Sequence, residues 1–173
     1  MDTLANRITV ARILLIPVYL LLAYLGHVWW ALAVYIIACL TDFVDGYIAR
    51  HYNQVTSVGK FIDPLADKML VLAAMCFFAE KGQMPGWAVA VVLFREFAVS
   101  GLRLIAVEQR RVIAAAWSGK VKTFATMIVL GFMMVFGDCS WINTVGTIII
   151  LLTTVYSGAE YFYKNRDIFK VSK

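Results

Sequence analysis

Apolar residues run along the chain in six long stretches, at roughly 10–26, 29–49, 61–80, 86–107, 119–137 and 141–163. Each approaches or reaches the ~20 residues that a helix needs to cross the apolar core of a bilayer. The breaks fall at Gly26-His27, Asn53–Ser57, Lys81–Gly86, around Glu108–Arg111 and at Gly137–Ser140. The shortest of these can only join antiparallel neighbours. The pattern predicts an all-α, polytopic membrane protein of six transmembrane helices, with 1–173 as a single domain. Residues 2–9, with Asn6 and Arg7, predict a short interfacial helix ahead of the first span. No A-x-A cleavage site follows the first stretch and five more spans do, so it is expected to be retained rather than removed as a signal peptide.

Composition sharpens this picture. The chain is 62% hydrophobic with a mean hydropathy of +0.78, against roughly 45–50% apolar residues in soluble domains. Its net charge of +5 would by itself suit either nucleic acid or anionic lipid. The distribution decides for the membrane. Fifteen of the sixteen Lys and Arg, all but Lys81, fall on one side of the six-span arrangement. The positive-inside rule then puts both termini in the cytoplasm, and no nucleic-acid partner is expected. Trp29, Trp30, Trp87, Trp117 and Trp141 all lie near span ends, as an aromatic belt requires. Cys39, Cys76 and Cys139 have no pairing pattern, and they form no zinc motif with His27 and His51.

The polar positions that break the apolar pattern are the informative ones. Asp42, Asp45, Asp63 and Asp67 flank the inner ends of the second and third stretches. A carboxylate at the centre of a membrane helix costs about 2.5–3.5 kcal/mol, so four without partners would cost roughly 10–14 kcal/mol. That approaches the whole stability of a domain, and bound cations are the simplest compensation. On a helical wheel, Asp42, Asp45, Gly46, Ala49 and Arg50 fall within an arc of about 140°. Gly59, Asp63 and Asp67, spaced by four, form a second stripe. Pro64 places Asp63 near the first turn of its helix. Oxygen-only donors suit Mg²⁺, Mn²⁺ or Ca²⁺ rather than zinc or copper. Two such ions would clamp the attacking and leaving oxygens of a phosphoryl transfer. Gly46, Ala49 and Gly59 leave room for a bulky ligand to approach the backbone, and Arg50 offers a fork for a phosphate oxygen.

The run D42-F-V-D45-G46-Y-I-A49-R50, followed after eight residues by G59-K-F-I-D63-P-L-A-D67, resembles the signature of the CDP-alcohol phosphatidyltransferases at every fixed position. The resemblance implies that Asp42, Asp45 and Asp63 bind two divalent cations, Mg²⁺ or Mn²⁺. It implies that Asp67 is the general base and also reaches a metal, and that Gly46, Ala49, Arg50 and Gly59 line the cytidine diphosphate pocket. It further implies a homodimer with its active site at the cytoplasmic face.

The acceptor is read from the second half. R95-E96-F-A-V-S-G-L-R103, S-G-K120-V-K122-T123 and the opening N6-R-I-T9-V-A-R12 are similar to the bacterial branch of that family that makes phosphatidylglycerophosphate. Ala5 stands where a proline often precedes the Asn. Glu96 and Arg103, seven apart, share a helix face and are expected to pair. The implied reaction is transfer of the phosphatidyl group from CDP-diacylglycerol to sn-glycerol 3-phosphate, at the bacterial cytoplasmic (inner) membrane. Arg103 and Lys120, supported by Arg95, are the expected ligands of the acceptor phosphate. The alternatives are the same chemistry on phosphatidylglycerol or inositol phosphate, or a cation or proton carrier using the acidic cluster as a relay.

Overall fold

A computed structural model of the protein describes residues 4–51, 57–109, 113 and 116–167, with side chains over 10–41, 68–109, 113 and 116–167. The described residues form six helices: α1 (Leu4–Tyr24), α2 (Val28–His51), α3 (Ser57–Glu80), α4 (Gly86–Glu108), α5 (Trp117–Val135) and α6 (Ser140–Lys164). Each matches one apolar stretch. The expected separate N-terminal helix is a correction: from Leu4 onward its residues are the first turns of an unbroken α1. No Gly or Pro lies between Leu4 and Ile16 to break the helix there. The expected start of α3 also moves. It begins at Ser57, which puts Asp63 and Pro64 about two turns inside it.

Turn chemistry makes two of the hairpins. Gly26 has φ 78° and Gly82 has φ 70°, a region closed to most side chains. After each, the next amide reaches five residues back: His27 to Leu22 O at 3.0 Å and Gln83 to Phe78 O at 2.9 Å. Gly26 and Gly82 themselves bond to Ala23 O and Ala79 O. These are paired glycine caps that satisfy the last carbonyls of α1 and α3. A third link joins two loops, where Gly137 O accepts from Gln83 Nε2 at 2.9 Å and from Asn143 Nδ2 at 2.8 Å.

In the interior, α1 packs on α2 and α3, α5 on α6, and α4 on α6, while α2 and α3 also touch each other and α5. The larger core joins Tyr19, Tyr35, Leu70, Met75, Phe78, Val92, Leu130, Met133 and Ile150, with Ala31, Ala38, Ala74 and Ala88 letting backbones come close. A smaller one joins Val99, Leu102 and Ala106 of α4 to Tyr161 of α6.

The distribution of polarity differs from that of a water-soluble bundle. Arg12, Lys122, Thr126, Asn143, Thr147, Thr154 and Ser157 are buried, whereas Leu14, Phe94, Phe97, Phe132, Leu152 and all five Trp are exposed. Buried hydroxyls turn back on their own helix, as Thr126 does to Lys122 O at 2.8 Å and Thr147 to Asn143 O at 2.7 Å. A few polar side chains within an apolar core, under a largely apolar exterior, are what a bilayer solvent selects. Among the described residues α5 and α6 are long and apolar enough to span a membrane, and shorter apolar helical stretches cover Val10–Tyr24 and Val28–Thr41.

One stability prediction follows from the α5–α6 contact. A Cβ on Gly146 would lie 2.9 Å from Val129 Cγ1 and 3.1 Å from Met133 Sδ. Gly146→Ala therefore overpacks this seam at a cost of about 1–3 kcal/mol. The expected result is a Tm about 3–10 °C lower by thermal unfolding in detergent. An unchanged Tm would mean that the two helices do not meet at this residue.

Candidate functional site

Helix lengths place the aspartate motif before any side chain is considered. α2 runs on to His51 and α3 starts at Ser57, so only residues 52–56 separate two adjacent helices. A link that short makes them antiparallel. Counting back along α2, Asp42 lies about 14 Å and Asp45 about 9 Å from its end. Counting forward along α3, Asp63 lies about 9 Å and Asp67 about 15 Å from its start. With the linked ends of the two helices side by side, this rise would set Asp42 near the level of Asp67, and Asp45 near that of Asp63. Gly46, Ala49 and Arg50 continue α2 beyond Asp45, and Gly59 precedes Asp63 on α3. The side chains of Asp42, Asp45, Ala49, Arg50, Asp63 and Asp67 lie outside the described residues.

One residue beyond Asp67, the described side chains begin with a buried ionic cluster. Glu96 Oε1 accepts from Lys122 Nζ at 2.8 Å and from Arg95 Nη1 at 2.9 Å. Lys68 Nζ is 3.5 Å from Glu96 Oε2 and donates to Ser100 Oγ at 2.7 Å. Exposure of the side chains is 5% for Lys122, 12% for Arg95, 14% for Glu96 and 32% for Lys68. Among the described residues, three cations from α3, α4 and α5 thus meet a single carboxylate in a largely desolvated place. Two glycines shape the slot for Arg95. A Cβ on Gly158 of α6 would meet Arg95 Cγ at 3.2 Å, and one on Gly119 of α5 would lie 3.6 Å from Arg95 Nη2.

The other expected phosphate ligands lie further out. Arg103 is exposed; its Nε donates to Tyr161 OH at 2.9 Å and its guanidinium lies 5.5 Å from that ring. The expected Glu96–Arg103 pair is therefore corrected: Glu96 takes Lys122, Arg95 and Lys68 instead. Seven residues put Arg103 about 10 Å along the helix from Glu96, whereas neighbouring helices bring cations to its own level. Lys120 is exposed, with Nζ 5.9 Å from the centre of the Trp117 ring.

Two cations were undervalued by position in the sequence. Lys122 lies in register with Thr126, Leu130 and Met133, the buried stripe of α5, whereas Lys120 is about 160° away on the wheel. Arg12 lies in register with Ile16, Tyr19 and Ala23 and is only 1% exposed, with an interaction partner of its own. A basic residue on the buried stripe of a helix is the signal that it faces inward. Among the described residues, no group of three or more His, Cys, Asp or Glu is placed to hold a metal.

Residues 2–157 match the family described as CDP-alcohol phosphatidyltransferase. Similar curated proteins include a CDP-diacylglycerol–glycerol-3-phosphate 3-phosphatidyltransferase of Bacillus subtilis (strain 168), 39% identical over 99% of this chain and 100% of that protein. Proteins of the same name from Rickettsia typhi and Shigella flexneri serotype 5b are 37% and 35% identical. The first alignment covers 94% of this chain and 96% of the relative, the second 86% and 85%.

Proposed function

This chain belongs to the CDP-alcohol phosphatidyltransferase family, and we propose on that footing that it moves the phosphatidyl group of CDP-diacylglycerol to sn-glycerol 3-phosphate. The products are phosphatidylglycerophosphate and CMP, so the chain is an enzyme of phosphatidylglycerol biosynthesis. The observation that carries the acceptor is the cluster around Glu96. Its three cations suit a phosphomonoester, which carries about −1.5 to −2 near neutral pH, better than the single charge of a phosphatidylglycerol phosphodiester.

The family works with divalent cations. Four carboxylates at two matched depths, without a soft ligand in the motif, fit that requirement. Asp42, Asp45 and Asp63, with Asp67, would hold two ions, Mg²⁺ or Mn²⁺, which when bound polarise the diphosphate of the donor. Gly46, Ala49 and Gly59 leave space for the cytidine diphosphate along the two helices, and Arg50 grips a phosphate oxygen. Arg95, Lys122 and Lys68 receive the acceptor phosphate, with Arg103 and Lys120 reaching it from the outer rim. Asp67, one residue from Lys68, then takes the proton of the primary hydroxyl. The freed oxygen attacks the phosphorus that bears the diacylglycerol, and the bond to the CMP oxygen breaks. All six helices span the membrane in this reading. Both termini and the site face the cytoplasm, at a bacterial inner membrane, and the active form is a homodimer.

Kinetics of variants test the acceptor pocket. Arg103→Ala, Lys120→Ala and Lys122→Met should each raise the KM for glycerol 3-phosphate by about 10- to 150-fold, the worth of one charge-assisted contact to phosphate. The KM for CDP-diacylglycerol should stay within a few-fold. Anchoring at the interface instead predicts lower yield or stability with both KM values intact, and that result in all three variants would move the phosphate pocket elsewhere.

A further inference from the structure

Glu96 sits near the middle of α4, about 15 Å from its first residue. A carboxylate has no reason to be there unless its partners require it. Those partners come from three helices: Lys68 from α3, Arg95 from α4 itself and Lys122 from α5. Lys122 and Arg95 converge on the same oxygen, Oε1, while Lys68 reaches Oε2. Remove the carboxylate and three like charges face each other where water is scarce, so their repulsion is poorly screened. Flexible Lys and Arg stems would swing apart, and an arriving phosphate would have to gather them again. With the carboxylate in place they are already gathered. Lys68 also follows Asp67 directly in the chain, so the same carboxylate ties this group to the helix turn that carries the aspartate.

We propose that Glu96 is a positioning residue for the acceptor, acting through Lys122, Arg95 and Lys68 to fix the spacing at which they meet the phosphate. The proposal rests on the reading of this cluster as the acceptor pocket. A bare charge count makes the opposite prediction. Neutralising Glu96 raises the net charge of the pocket and should tighten phosphate binding, whereas losing the spacing should weaken it.

The test uses the full chain in detergent–lipid micelles, with CDP-diacylglycerol and glycerol 3-phosphate as substrates. Glu96→Gln keeps the shape and removes the charge. It should raise the KM for glycerol 3-phosphate about tenfold and leave the KM for CDP-diacylglycerol within twofold; KM does not depend on how much of the sample is folded. In the Lys122→Met background the same change should raise the acceptor KM by a smaller factor, because one of the three cations that Glu96 positions is already gone. An acceptor KM that falls or stays unchanged in Glu96→Gln overturns the proposal. So does an equal rise in both KM values, or an undiminished effect in the Lys122→Met background. If Glu96→Gln has no turnover, Glu96→Asp, which keeps the charge on a shorter stem, should restore it; inactivity of both variants overturns the proposal. An unchanged acceptor KM in Lys122→Met sinks the acceptor-pocket reading itself. A raised KM there with none in Glu96→Gln sinks the positioning role alone.

Discussion

Asp67→Asn is expected to abolish turnover while leaving CDP-diacylglycerol bound. A positioned general base contributes about 10²- to 10⁴-fold to a rate, and its loss acts on the transition state more than on the ground state. The amide keeps the size of the side chain and cannot take the proton of the acceptor hydroxyl. The kcat should therefore fall by at least about 100-fold, while the donor dissociation constant, measured at equilibrium, moves by no more than a few-fold. Asp42→Asn and Asp45→Asn should weaken metal binding as well, since they remove a ligand charge without replacing it. Near-native turnover in Asp67→Asn would assign the base to another group.

Removal of divalent cations is expected to be as severe. Asp42, Asp45, Asp63 and Asp67 all lie within about 15 Å of the linked ends of α2 and α3. Excess EDTA should reduce turnover to background, and Mg²⁺ or Mn²⁺ should restore it. Zn²⁺ should not, because the motif supplies only oxygen donors. The stripped protein should also unfold at a lower temperature, because bound cations stabilise the folded chain by mass action. Undiminished turnover in rigorously metal-free buffer would remove the metal from the account.

Much of the architecture was legible from apolar run length alone, because a bilayer admits few ways to bury a backbone. The glycine caps at Gly26 and Gly82 lie at breaks that the pattern marks. The errors sit where polar residues flank the apolar runs. Hydropathy starts the third span at residue 61, yet α3 begins at Ser57. The backbone continues as helix past the point where its side chains turn polar, and that extension carries Gly59. The first turns of α1 merge with the span for the same reason. The aspartate motif stands out in the sequence because carboxylates at the ends of apolar runs are so costly. The cationic cluster around Glu96 was only half legible. Spacing along α4 made Glu96 and Arg103 neighbours, but pairing is decided by what other helices bring to the same level, here Lys68 and Lys122. Likewise Lys120 and Lys122 look alike in a basic run. Only the register with Thr126, Leu130 and Met133 shows that Lys122 faces inward.

The central claim is the reaction, and its product tests it most directly. Purified protein in micelles with CDP-diacylglycerol and Mg²⁺ would be offered glycerol 3-phosphate, inositol phosphate and phosphatidylglycerol in separate reactions, with CMP and lipid quantified together. The account predicts CMP release with glycerol 3-phosphate far above the other two acceptors. It also predicts one new lipid per CMP, carrying both a phosphodiester and a phosphomonoester. CMP release that is faster with another acceptor, or no CMP at all from folded, metal-loaded protein, would contradict it.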